Sequence, residues 1–269
     1  MIVTDKFVFV HFPRTGGTFI TDVITKFFPS AQEIGYHLPR FLLPNEYSHL
    51  PVLGAVRNPW EFYVSWYYHV WPRDAATPLT SWLTENGKQQ FEGATRNALN
   101  LGTDNERLDA LIEKLPDEVD YRKRNIPNIT KDSVRKVRGT GVGYYTFRFN
   151  HLFGNADEVF FCRQERLRAD LIDFLERIGA ASDEIRAHIL ESEKRNTADH
   201  SHYSTYYTPE LAELVSIRDR AVIERFGYTF EPTPTVHNAT MNPSTNEDTS
   251  CRCSDGFYPV ELSTPSKHW

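Results

Sequence analysis

The chain has 269 residues, 40% hydrophobic and 25% charged, the balance of an ordinary globular protein, which excludes a disordered or fibrous chain. Thirty Lys and Arg against 36 Asp and Glu give a formal charge of −6, which argues against a general binder of nucleic acid or of anionic membrane surfaces. One segment departs from that average: Tyr121 to Arg138 holds seven basic residues and the single acid Asp132, a local +6.

The run Lys6–Phe12 is apolar and β-branched, the pattern of a buried parallel strand, and Pro13-Arg-Thr-Gly-Gly-Thr18 follows it as a turn. Phe19 to Phe28 then reads as a helix. A second buried strand is expected over Pro51–Val56, closed by Arg57-Asn-Pro59, and an aromatic-rich helix from Trp60 to Trp71 follows. A third strand is expected over Glu158–Cys162, with a helix from Leu167 to Ile178 ending at Gly179. Thr208-Pro209 opens a long amphipathic helix to Phe226 before Gly227. Strands alternating with helices predict an α/β protein: one domain over residues 1–230 with a central parallel sheet flanked by helices. Residues 231–269 turn to Pro, Thr, Ser and Asn without apolar period and read as an irregular tail.

Three cysteines, Cys162, Cys251 and Cys253, make no disulfide framework and fit a reducing compartment. The Cys251-x-Cys253 spacing lacks a second ligand pair, so no metal site is expected. No apolar run approaches the roughly 18 residues of a membrane span. The N-terminus enters a strand at once, leaving no room for a signal peptide, so a cytoplasmic protein is expected. The Asn128 and Asn238 sequons then read as chance.

Two places carry candidate chemistry. A Gly-Gly turn between a strand and a helix lets several N–H groups converge at the positive end of the helix dipole, a phosphate-binding arrangement. Arg14 adds a permanent cation there, and Thr15 and Thr18 add hydroxyls. The turn lacks the first Gly and the Lys-Ser/Thr ending of an NTPase P-loop. Arg57 stands at the carboxyl end of a central strand, where open α/β sheets bind ligands. Ser65, about two turns into the next helix, can return a hydroxyl to the same crevice.

These residues resemble the family of sulfotransferases that use 3′-phosphoadenosine 5′-phosphosulfate, PAPS. Phe12-Pro-Arg-Thr-Gly-Gly-Thr-Phe19 looks like the family's 5′-phosphosulfate loop, and Arg57 with Ser65 resembles its 3′-phosphate pair. His37-Leu-Pro-Arg-Phe-Leu-Leu-Pro44 is similar to the segment that carries the catalytic base, with Tyr36 where Thr is usual. Lys194-Arg195-Asn196 before His202-Tyr203 and Tyr206-Tyr207 is a looser echo of a basic and aromatic stretch that reaches the 3′-phosphate. The resemblance implies a P-loop-like architecture and sulfuryl transfer from PAPS to a small-molecule or glycan acceptor, with release of the nucleotide bisphosphate PAP and no metal. It implies cofactor binding by Arg14, Thr15, Gly16, Gly17, Thr18, Phe19, Arg57, Ser65, Arg195 and Asn196. Catalysis would fall to Arg14, in the place where many members carry Lys, and to His37 as base, with Glu33 the next candidate. The alternatives are a P-loop nucleotide kinase or NTPase, and a non-catalytic nucleotide-binding module on the same fold.

The basic run has three readings: a solvated charged loop, extra cations around PAPS or PAP, or the lining of a channel for an anionic acceptor. Gly139, Gly141 and Gly143 behind it suggest a lid. Arg163 and Glu165 suit acceptor binding or a salt bridge.

Overall fold

Phe7, Val8, Phe9 and Val10 are fully buried, and so are most residues of the Pro51–Val56 run. A segment buried on both faces has to sit inside a sheet covered by helices on each side. The computed structural model describes residues 1–74, 77–124, 128–154, 156–193 and 200–231. Its five strands are β1 (Ile2–Val3), β2 (Val8–Phe9), β3 (Gln32–Glu33), β4 (Val52–Val56) and β5 (Val159–Arg163), in the spatial order β3-β1-β2-β4-β5.

The β2, β4 and β5 strands are parallel, whereas β1 pairs antiparallel with both β2 and β3. The sheet is therefore mixed, which corrects the expectation of a parallel sheet. The cause is local: Thr4 turns the chain, its hydroxyl accepting from the Phe7 amide at 2.9 Å, so Ile2–Val3 folds back beside Val8–Phe9. The Val8 and Val10 amides donate to the Pro51 and Leu53 carbonyls at 3.0 and 2.9 Å, so the pairing with β4 runs one residue past β2.

Alternation along the strands sorts the core into two layers. Phe7, Phe9, Leu53, Ala55 and Cys162 face helices α1 (Gly17–Phe27), α8 (Leu167–Arg177) and α9 (Asp183–Glu191). Val8, Val10, Val52 and Val56 face a larger layer with α2 (Pro59–Asp74), α3 (Pro78–Leu83), α4 (Phe91–Leu99), α5 (Asn105–Lys114), α6 (Lys131–Arg135), α7 (Tyr144–Phe153), α10 (Pro209–Arg218) and α11 (Arg220–Phe226).

The long C-terminal helix expected over Thr208–Phe226 is broken in two at Asp219. Its fully buried carboxylate accepts from the Tyr63 hydroxyl at 2.7 Å and from the Thr146 amide and hydroxyl at 2.9 and 2.8 Å. Those three bonds hold Asp219 at φ −109, ψ 20, outside the helical region. The chain divides at Thr233 into a compact unit Met1–Thr233 and a second unit Pro234–Trp269 that lies outside the described residues, with Cys251, Cys253 and Asn238.

Within the basic run, Arg122 pairs with Asp120, Arg124 with Glu33, Lys131 with Asp117, Arg135 with Asp132 and Arg138 with Asp109. The +6 of the sequence is thus largely matched by acids from neighbouring segments, as on a solvated surface. The glycine segment behind it is fastened. The Gly139 amide donates to the Gly102 carbonyl at 2.9 Å, and the Gly143 amide to the Arg218 carbonyl at 3.0 Å. Those bonds tie down the segment read as a lid.

Candidate anion-binding site at the strand ends

The turn after β2 bends sharply at two residues with left-handed backbone, Arg14 at φ +65 and Gly16 at φ +90. Gly16 caps α1 without a side chain, and the first bond into the helix is from the Phe19 amide to the Gly16 carbonyl, 3.0 Å. Among the described residues, no group accepts from the amides of Thr15, Gly16, Gly17 or Thr18. They are the open donors of a helix N-terminus. A side chain cannot replace Gly17, because a Cβ there would stand 2.0 Å from Cδ2 of His11.

Arg14 reaches across to α2 and donates from Nε and Nη2 to the Ser65 hydroxyl, at 3.2 and 2.8 Å. Arg57, 8% exposed, ends β4 beside it, with Nη1 donating to the Arg14 carbonyl at 3.3 Å and Nη2 to Glu61 at 2.6 Å. Its Nε is buried without a partner. Arg14, Gly16, Gly17, Thr18, Phe19, Arg57 and Ser65 thus line one cavity of about 730 Å³. That volume lies within the range of nucleotide and drug-sized sites.

Other predicted residues are placed differently. Thr15 is fully buried and its hydroxyl donates to the Phe12 carbonyl at 2.8 Å, so it holds the turn together and leaves only its amide for a ligand. Arg195 and Asn196 lie outside the described residues. Glu33 is on the far edge strand, paired with Arg124.

His37 is not on the cavity wall. The wall residue is His11, and His37 packs behind it, its ring tilted at 58° with centroids 4.6 Å apart. The His37 Nδ1 lies 2.8 Å from the His11 carbonyl, an acceptor, which fixes the proton on Nδ1 and the lone pair on Nε2. Burial pulls the His11 pKa down to about 3, helped by the N-terminal ammonium and Arg124. Burial, then the neighbouring His11, puts His37 well below its ordinary value. Both rings are neutral at neutral pH.

Four further residues line the cavity: His11, expected only as a strand residue, and Glu61, Gln164 and Arg168, for which the sequence carried no functional expectation. His11 continues the Phe7, Phe9 alternation that faces α1, and this register was a usable signal. Glu61 sits four residues after Arg57, the helical spacing of an ion pair. Arg168 stacks over Phe19 at 5.5 Å and donates to the Ile189, Leu190 and Ser192 carbonyls at the end of α9. Glu165 lines the same cavity and accepts from the Asn58 amide at 2.6 Å, and burial raises its pKa.

No family model, no curated protein and no solved structure matches the chain.

The geometry therefore carries the chemistry by itself. Open amides at a helix N-terminus, the guanidiniums of Arg14 and Arg57 and the Ser65 hydroxyl share a cavity whose floor is made of strand ends, and the buried Arg57 Nε still needs an acceptor. That donor set suits an oligoanion with phosphate groups. Among the described residues no group of three or more His, Cys, Asp or Glu is placed to hold a metal ion, and no helix is long and apolar enough to cross a membrane.

Proposed function

We propose that the protein is a PAPS-dependent sulfotransferase, transferring a sulfuryl group from PAPS to a hydroxyl or amine of a small-molecule or glycan acceptor and releasing PAP. The observation that carries this reading is the meeting of Arg14, Arg57 and Ser65, distant in sequence, at the open N-terminus of α1. PAPS supplies an activated sulfuryl group on a phosphate leaving group.

In this reading the amides of Thr15 to Thr18 take the 5′-phosphate, and Arg57 with Ser65 takes the 3′-phosphate. The acceptor oxygen forms a new bond to sulfur. The bond from sulfur to the phosphate oxygen breaks, and its electron pair stays on PAP. Arg14 neutralises the charge that gathers on that oxygen; a guanidinium clamps but does not give up a proton. The acceptor proton goes to His37 Nε2, the lone pair left by the Nδ1 bond to His11. His37 is buried as a weak base, and the negative charge of PAPS beside His11 favours its protonated form.

Residues 13–18 lack the Lys-Ser/Thr pair that cradles a γ-phosphate and its magnesium, which counts against a kinase or NTPase. The test is transfer of label from sulfur-labelled PAPS to a panel of glycans, phenols and alcohols, with PAP release followed in parallel. Labelled product that disappears in Arg57→Ala supports the reading. Hydrolysis of ATP with no use of PAPS contradicts it.

A further inference from the structure

Helix α7 carries a cation that the nucleotide cavity does not use. Arg148 is 5% exposed, and its Nη1 donates to the Asn128 carbonyl at 3.2 Å. No carboxylate of the described residues pairs with it. The groups within its electrostatic reach are neutral or basic: His37, Tyr121, Tyr144 and His151. A buried guanidinium without a counter-charge is costly, and the cost is recovered when an anion arrives.

The way this fork is held selects the anion. With Nη1 taken by Asn128, the free donors are Nε and Nη2, which lie side by side on one edge of the guanidinium and match the two oxygens of a carboxylate. Neither is among the sealed, unpartnered polar atoms of the described residues, so both open onto the gap that gives Arg148 its exposure.

One turn on, His151 keeps Nε2 buried and unpartnered. Burial draws its pKa down to about 3, and its hydrogen bond to the Asn128 backbone puts the proton of the neutral ring on Nδ1 and leaves Nε2 as an acceptor. The His151 ring lies between Phe147 and Phe41, with centroids 6.0 and 6.1 Å away, and Phe41 is 69% exposed. Phe41 and Leu42 stand on the short helical turn Arg40–Leu42, which packs on α7 and follows His37 by three residues.

We infer that Arg148 is the recognition residue of an acceptor site beside His37, and that the acceptor carries a carboxylate next to the hydroxyl that is sulfated. This rests on the sulfotransferase reading above. It moves anion recognition from the paired basic run of residues 121–138 to one buried cation behind it.

Equilibrium binding to the full chain, with and without PAP, tests it on two matched pairs. One pair is a glucuronic-acid-containing disaccharide and its carboxyl-reduced form. The other is 4-hydroxyphenylacetate and its primary amide. The wild type is expected to bind the carboxylate of at least one pair about tenfold or more tightly than its neutral partner, the scale of one charged hydrogen-bonded contact. Arg148→Gln should bring the two within about twofold, and Arg148→Lys should keep part of the difference. The melting shift with PAP should be the same in both variants, which reports an intact fold and nucleotide site. Equal binding of both members of each pair by the wild type overturns the inference, as does discrimination that survives Arg148→Gln. If PAP gives no melting shift while Arg148-dependent discrimination is present, the nucleotide reading falls and the carboxylate site stands.

Discussion

The Arg57 guanidinium is held by Glu61, in the first turn of α2, through a 2.6 Å ion pair inside the cavity of about 730 Å³. Glu61 keeps the buried cation compensated while no ligand is bound, and the same carboxylate then opposes a phosphate. Glu61→Gln should tighten PAP binding by roughly tenfold, because a half-screened like charge is removed. Arg57→Ala should weaken it by about a hundredfold or more, as for other truncated buried charge contacts. Titration calorimetry on both variants checks the opposite signs. Two changes of the same sign would show that Glu61 does not oppose the ligand.

Gly17 is a steric requirement. An added Cβ would meet His11 Cδ2 at 2.0 Å and Nε2 at 2.2 Å. His11 stacks on Phe9 and packs against His37, so a Cβ at Gly17 can be accommodated only by pushing the His11 ring toward the cavity it lines. Gly17→Ala should cost about 1–3 kcal/mol of stability, the range for overpacking a core. It should also weaken PAP binding, because the displaced ring moves the amides of the turn. A variant with wild-type melting temperature and wild-type affinity would contradict this.

Asp219 makes stability depend on pH. Burial raises its pKa from the ordinary 3.8 to about 6, outweighing the bonds from Tyr63 and Thr146 that pull it down. The folded state therefore holds the proton more tightly than the unfolded chain. The stabilisation is fully present below about pH 4 and is lost as pH rises through about 6, and the span corresponds to about 3 kcal/mol. Urea unfolding of wild type and Asp219→Asn at intervals from pH 4 to 7.5 checks it. The wild-type advantage should shrink by about that amount as pH rises; parallel curves would contradict it.

The two adjacent histidines set a different pH expectation. His11 titrates at about 3, and His37 is held well below 6.5, first by burial and then by His11. Both are already unprotonated at pH 6, so the profile of kcat/KM, which reports free-enzyme groups, should show no inflection near 6.5. Stability from His11 has the matching sign: it is present above 6.5 and lost as pH falls toward 3. A step near 6.5 that disappears in His37→Ala would show an ordinary, solvated His37.

Much of this was legible because local chemistry and position coincide. The Gly-Gly turn, the strand-ending Arg57 and Ser65 eight residues later all need one crevice, and the fold gives them one. Strands β1 and β3 were not legible: two residues each carry no alternation, and only the Thr4 turn and the edge pairing define them. Helices α3, α5, α6 and α9 each open on a side-chain cap, Thr77, Asp104, Thr130 and Ser182, and α5 adds an apolar stripe of Leu108, Leu111 and Ile112. The break at Asp219 is tertiary, since the apolar period runs straight through it and only Tyr63 and Thr146 explain it. Charge misled most. The conspicuous basic run is largely answered by acids spread from Glu33 to Asp132, while Arg148, a buried cation in an aromatic helix, pairs with no carboxylate of the described residues.

We propose that the cavity at the end of α1 selects an adenosine carrying both a 5′- and a 3′-phosphate. The most direct test is thermal unfolding of the full chain with PAP compared with AMP, ADP and ATP at equal concentrations. Stabilisation by PAP of about 2.7 kcal/mol at a hundred times its Kd is expected, with little from the nucleotides lacking a 3′-phosphate and loss of the PAP effect in Arg57→Ala. Equal protection by ADP and PAP, or a PAP effect untouched by Arg57→Ala, would contradict it.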